Sequence, residues 1–403
     1  MKLSLKKFKE RLIEGTLLIS ATVTSFTVVL IVFFLFKEGT GLFGHSAVED
    51  EFVVAVNGTN PLKKVSSEDI KNIFDGKIIK WKEIGGTNDS ILAFRIDNIT
   101  NYYKEEELGA EFEHLPGKLN ELIDKTPGII AYFPKKYLSP NFKGNLLPPP
   151  KITFTNFVSG REWFPTAQPA AQMGVLPLIL GTLWVSFGAI MIALPLGLAT
   201  AIYMAEIADD KVRKVLKPVI ELLAGIPSVV YGFFGLIIIV PLIQRIFNLP
   251  VGETGLAGSI ILGIMALPTI ITISEDALRN TPRDMKEASL ALGASKWQTI
   301  YRVVLPYSSS GISAAAILGI GRAIGETMAV LMVTGNASII PHTFLEPLRT
   351  IPATIAAELG EAPQGGLHFQ ALFALGCILF IMTLIINLAV EFVASKKKYS
   401  KRG

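Results

Sequence analysis

The chain has 403 residues, half of them hydrophobic, with a mean hydropathy of +0.47. Its apolar residues come in blocks long enough to cross a bilayer, which excludes an ordinary soluble protein. The net charge of +4 comes without any basic patch interleaved with aromatics, which argues against a nucleic-acid partner.

Six spans are expected, at roughly 14–36, 178–204, 218–243, 257–278, 308–334 and 369–393. The first is too long for a signal peptide, and no small-residue cleavage site follows it promptly. Lys2, Lys6, Lys7, Lys9 and Arg11 precede the first span, and Lys396, Lys397, Lys398, Lys401 and Arg402 follow the last. The loop 205–217 carries Lys211, Arg213, Lys214 and Lys217, and the loop after the fourth span carries Arg279, Arg283, Lys286, Lys296 and Arg302. The loop 244–256 has only Arg245, and 335–368 only Arg349. This alternation predicts a multi-pass protein of a prokaryotic inner membrane, with both termini and the loop 279–306 cytoplasmic and 37–177 outside.

After residues 1–44, the N-terminus and first span, the segment 45–150 changes character. Phe52-Val53-Val54-Ala55-Val56 predicts a buried strand, and Ser66 through Phe74 a capped helix with Ile70, Ile73 and Phe74 on one face. Ile91 through Ile96 and Gly128 through Phe133 predict further strands, and Leu119, Leu122 and Ile123 mark a second helix. Pro148-Pro149-Pro150 makes a stiff exit. The sum is a small α/β domain of about 100 residues, enough for a modest core. The single cysteine, Cys377, lies in the last span and cannot staple it.

Asn60 through Ile78, Trp81 through Gly86, and Thr126 through Tyr132 resemble part of a periplasmic phosphate-binding protein. That family holds its anion on the amides of a serine-glycine-threonine loop. Here the stretch reads Arg95-Ile96-Asp97-Asn98-Ile99-Thr100, without the glycine. Half a cleft cannot enclose a ligand, so a docking or structural role is expected.

Residues 151–177 read as a linker in which Glu162-Trp163-Phe164-Pro165-Thr166 introduces the core 178–403. In the core, Pro227 is expected to kink a helix, and Glu221 to sit at the cytoplasmic mouth beside Lys217.

The loop 279–306 carries its own folding instructions. Thr281-Pro282-Arg283-Asp284 predicts a helix start with Thr281 as cap and Pro282 as first helical residue. Gly293 suits the left-handed residue that ends this helix. Ser295-Lys296-Trp297-Gln298 predicts a capping box, and Pro306 limits the second helix. Two capped helices around a glycine make a rigid projection.

Glu287-Ala288-Ser289-Leu290-Ala291-Leu292-Gly293, followed by Val303-Val304-Leu305-Pro306, resembles the EAA loop of ABC importer permeases. Ser289 stands for that family's second alanine and Val303 for its isoleucine. The resemblance implies that Glu287, Ala288, Ser289, Gly293, Leu305 and Pro306 couple the chain to a separate ATP-hydrolysing subunit.

Arg322 and Glu326 lie deep in the fifth span. Spacing of four predicts one helix face, on which they either pair structurally or line a transport pathway. Gly321 and Gly325 form a G-x-x-x-G pair that lets another helix approach closely. A guanidinium offers an oxyanion two directed hydrogen bonds. A carboxylate can accept the proton of monohydrogen phosphate and repel sulfate, which has none. The run Gly319 through Val330 and the run Glu221 through Gly232 are similar to phosphate permeases of the PstC type.

His45, His114, His342 and His368 are scattered without metal spacing, and no G-x-x-x-x-G-K is present. The expectation is therefore a non-enzymatic subunit with no cofactor of its own, its ATP bound by a partner. The resemblances imply an all-α polytopic membrane protein with six transmembrane helices of the type I ABC importer permease fold. A small α/β domain is inserted between the first two helices. The implied function is phosphate import, with a PstA-like second permease, a PstB-like ATPase dimer, a PstS-like binding protein and membrane lipid as partners. The alternatives are another oxyanion (molybdate, sulfate or phosphonate) as cargo, or a phosphate receptor that signals without transport.

Overall fold

The computed structural model describes residues 2–87, 89–109 and 111–399, with side chains described between residues 11 and 392. The basic side chains expected to orient the termini, Arg11 excepted, lie outside the described residues. The chain divides into two compact units, Met1–Thr40 with Pro177–Gly403, and Gly41–Leu176.

In the unit Gly41–Leu176, the strands are β1 (Phe52–Val56), β2 (Leu92–Arg95), β3 (Ile129–Pro134) and β4 (Asn145–Leu147), in sheet order β2-β3-β1-β4. β1 pairs antiparallel to β3 and β4, and β2 runs parallel to β3. Side-chain alternation gives this sheet two buried faces. Val54, Val56, Ile130 and Tyr132 pack with Ile70 and Ile73 of helix Ser67–Phe74. Ala55, Ile129, Ala131 and Phe133 pack with Leu119, Leu122 and Ile123 of helix Leu115–Lys125. As expected, Ser66 caps the first helix by accepting from the Asp69 N–H.

Residues 151–177 do not form a plain linker. Thr153 caps a helix, Phe154–Ser159, and a two-stranded ribbon pairs β5 (Trp163–Phe164) with β6 (Gln172–Met173). Phe157 and Trp163 are buried in edge contact, ring centroids 6.3 Å apart. The aromatic content of this stretch lets it bury surface instead of hanging free.

The other unit is helical. Five helices are long and apolar enough to cross a membrane, Arg11–Gly41, Leu176–Ile207, Ser228–Phe247, Gly255–Arg279 and Leu367–Phe392. Ser309–Gly325 is bent by 68° from Lys296–Tyr307 before it, and the two taken together bring the candidate spans to six. Gly255–Arg279 is the most buried of the five and packs along Ser309–Gly325. Gly311 makes that approach possible, because a Cβ there would come within 2.3 Å of the Ala277 Cβ. The first helix meets the last near its end through Phe34–Phe373 and Phe36–Phe380 contacts at 5.5 and 6.1 Å.

Two expected spans are broken. Residues 218–224 belong to an amphipathic helix, Asp210–Ala224, and the span proper begins at Ser228, after Pro227. The fifth span stops at Gly325 and resumes as Met328–Val333. Pro227 and the two glycines at 321 and 325 are the local causes.

Candidate coupling loop and translocation pathway

The projection 283–307 is built close to its sequence signals, with one exception. Its first helix runs Arg283–Ala291, and Pro282 occupies the cap position with φ −55° and ψ 136°. Thr281, expected as the cap, is buried, and its hydroxyl lies 3.1 Å from the Ser308 Oγ. Ser308 in turn donates to the Ala277 carbonyl at 2.9 Å. The hydroxyls therefore button the two feet of the loop together at the end of Gly255–Arg279. Gly293 takes φ +83° with nothing near its Cβ position, so backbone angle and not crowding requires glycine there. The capping box is complete. Ser295 Oγ accepts from the Gln298 N–H, and Gln298 Oε1 accepts from the Ser295 N–H at 2.8 Å.

Glu287, Ala288 and Gly293 face outward, while Leu305 and Pro306 are half-buried. Ser289 turns inward, its hydroxyl 3.0 Å from Thr299 Oγ1. A hydroxyl at this position thus ties the two helices of the projection together, a contact alanine lacks. Around the outward residues Leu292 is 89% exposed and Trp297 62%, with Met285, Leu290 and Tyr301 also exposed. Met285 and Leu290 lie on the first helix and Trp297 and Tyr301 on the returning leg, so apolar side chains stand open along the projection.

Arg322 and Glu326 do not share a helix face. Arg322 sits in the last turn of Ser309–Gly325, exposed, where the carbonyl end of the helix favours a cation. Glu326 follows the break in extended conformation, φ −71° and ψ 133°, and is half-buried. Among the described residues no ion pair joins them. Gly321 and Gly325 have nothing within 4 Å of their Cβ positions, so the close helix approach expected at this pair is not made within the chain. Ser310, Ala314, Leu318, Arg322 and Gly325 instead form an open flank. Tyr231 lies within Coulombic reach of Arg322, and its hydroxyl donates to the Leu223 carbonyl at 2.8 Å.

Sequence reasoning missed the ionic contacts of three carboxylates. Lys217 stands one turn before exposed Glu221 on Asp210–Ala224, and its ion pairs reach to another helix. It lies 3.5 Å from Glu275, a carboxylate only 1% exposed that Arg279 also approaches at 3.5 Å. Lys286 of the projection lies 2.5 Å from Glu206 at the end of Leu176–Ile207. Arg349 Nη1 meets Glu358 Oε1 at 2.7 Å, while His368 Nε2 lies 2.8 Å from Glu358 Oε2. The available signal was an acid at the end of each apolar run, because a carboxylate there calls for a partner.

In the unit Gly41–Leu176, Arg95 opens a 3-10 helix, Ile96–Asn101, in place of an anion-holding loop. Its guanidinium stacks on Phe74 at 5.3 Å and donates to the Gln168 carbonyl at 3.1 Å.

Residues 193–399 match the family model described as the binding-protein-dependent transport system inner membrane component. Residues 34–136 match a PBP superfamily domain. The chain is 41% identical over 242 residues to a probable ABC transporter permease, YqgH, of Bacillus subtilis, covering 60% of this chain and 78% of that protein. It is 38% identical over 250 residues to the phosphate transport system permease protein PstC of Mesorhizobium japonicum, covering 57% and 75%. Among solved structures, the inward-facing MetNI methionine ABC transporter is similar at 21% identity. That match has a TM-score of 0.42 and covers 56% of this chain and 94% of that one.

Proposed function

The chain belongs to the binding-protein-dependent transport system inner membrane component family as an ABC importer permease, and from that premise we propose that it imports inorganic phosphate. The observation that carries the coupling half of this reading is the projection 283–307. It is capped, braced, and presents Glu287 and Ala288 outward beside exposed Leu292 and Trp297. A stiff element with an apolar tip suits a groove on a cytoplasmic ATPase, and two such permeases would engage a dimer of it. Closure of that dimer on ATP moves the projections and switches the pathway between its two openings.

The pathway half rests on the open flank of Ser309–Gly325. A homologous permease seated there would enclose Arg322 and Glu326 between two subunits. Arg322 would replace part of the hydration of an oxyanion with two directed hydrogen bonds. Glu326 would accept the hydrogen of monohydrogen phosphate and repel sulfate. The phosphate cargo is supported by the relatives named for phosphate transport. An extracytoplasmic binding protein would deliver it on the side of Gly41–Leu176, with both termini cytoplasmic.

Vesicles reconstituted with both permeases, the ATPase and a phosphate-binding protein test the reading. ATP should drive phosphate accumulation, and cysteines at 287 or 288 should cross-link to the ATPase. Phosphate binding without accumulation would identify a receptor instead.

A further inference from the structure

Contacts between a docking tip and an ATPase can push on the projection. Pulling it back requires something that resists separation, and besides the backbone and hydroxyls at its two feet the described residues hold an ion pair that does so. Glu206 and Lys286 are 80 positions apart in sequence, and Lys286 Nζ lies 2.5 Å from Glu206 Oε1. Their side chains are only 10% and 22% exposed. A carboxylate this buried is costly without a cation beside it, so removing one partner is penalised more than at a surface ion pair. The geometry around it is specific. Glu206 lies in Tyr203–Ile207, the π-helical turn that finishes the span Leu176–Ile207. Lys286 turns inward, whereas its neighbours Glu287 and Ala288 face out. The same short helix is held on its return side by Ser289 and Thr299, 3.0 Å apart. Lys286 and Ser289, three residues apart, share the inward face of this helix, which is thus bonded both to a membrane span and to its own returning leg.

We infer that Glu206 and Lys286 form a strut that carries the movement of the projection into the span Leu176–Ile207 in both directions. They are positioning residues, and neither is asked to touch ATP or phosphate. The inference rests on the coupling reading above. A charge-assisted hydrogen bond is short and directional, so it keeps the two elements in register whichever way the projection moves. Without the strut the ATPase would still cycle, and fewer of its cycles would move the pathway.

The test is the number of phosphates imported per ATP hydrolysed by the full reconstituted complex. Glu206→Gln should lower that ratio about five-fold, a size typical of residues that carry coupling, with ATPase activity within about two-fold of wild type. Lys286→Gln should lower the ratio similarly, and Lys286→Arg should keep it. The reversed pair, Glu206→Lys with Lys286→Glu, should recover it to within about two-fold. An unchanged ratio in both single variants, or a reversed pair no better than either, overturns the strut. Cysteines at 206 and 286 in a Cys377→Ser chain, bridged by a bifunctional thiol reagent about as long as the two side chains they replace, read the contact without any transport. Failure of that cross-link removes the strut and leaves the import reading standing. A complex that forms the cross-link but never imports phosphate removes the import reading.

Discussion

Glu326 stands just past the end of a helix, and that position decides what its carboxylate can do. A neutral internal pair with Arg322 would have consumed both charges. The break at Gly325 instead leaves each free to face a third group. A hydrogen bond to a charged group contributes about 1.5–3 kcal/mol, or roughly ten- to a hundred-fold in affinity. Glu326→Gln should therefore lose phosphate-over-sulfate discrimination by about that factor in competition uptake. Unchanged selectivity and rate would remove Glu326 from the pathway. Arg322→Lys should cost phosphate uptake about ten-fold, since an ammonium cannot reproduce the planar fork. A residue-scale prediction also concerns Lys71, whose pKa is raised by its hydrogen bond to Asp75 at 2.6 Å, with Glu162 at 3.1 Å assisting against desolvation. A raised lysine pKa stabilises fully below the unfolded value of 10.5 and is lost as pH climbs through the folded value. Lys71→Met should thus destabilise the domain at pH 7 in thermal melts, with the difference shrinking as pH rises beyond 10.5.

Local signals specified the projection well because caps and glycine turns act within a few residues. Gly293 and Ser295 read correctly from neighbours alone. Thr281 did not, because its hydroxyl was claimed by Ser308, 27 positions away, which no local pattern encodes. The spans show the same division. Hydropathy located six apolar stretches, but averaging over a window cannot register a break of two or three residues. Pro227 marked the turn before Ser228, but the gap after Gly325 was invisible, and with it the fact that Arg322 and Glu326 lie on different elements. An acid at the end of an apolar run signals that Glu206 and Glu275 need partners, but that Lys286 and Lys217 answer them was hidden for the same reason as Ser308, since those pairings join distant segments. The left-handed angle at Gly293 gives a direct check on the element. Gly293→Ala should cost the projection about 1–2 kcal/mol, the penalty of a Cβ in that conformation. Because no atom lies near that Cβ position, the loss is conformational and not steric. Amide exchange should quicken across 283–307, and binding to the ATPase should weaken about ten-fold, while helices remote from the loop keep their protection.

The Gly41–Leu176 unit poses a different question, because its boundary determines what an excision experiment means. Reading the stretch 151–177 as a linker suggests removing 46–150. The structure makes that cut a poor one. Arg95 donates to the Gln168 carbonyl, and the Gln172 amide donates to the Ser67 carbonyl at 2.7 Å. The Ala171 N–H reaches the Ala47 carbonyl at 2.8 Å, and the Gly44 N–H reaches Ile152 at 3.0 Å. Phe157 and Trp163 are almost wholly buried. Stranding two such aromatics costs about 3–5 kcal/mol each, comparable to the whole stability of a small domain. Residues 41–176 produced alone should therefore be a soluble monomer with one cooperative melt. Residues 45–150 should expose apolar surface, bind a hydrophobic dye and melt without cooperativity. A cooperative 45–150 fragment would return the 151–177 stretch to the role of a tether. If 41–176 folds as expected, replacing 42–175 with a short linker is the clean deletion. Its transport and its capture of the binding protein then report on the domain itself, because no half-dismantled core remains on the permease.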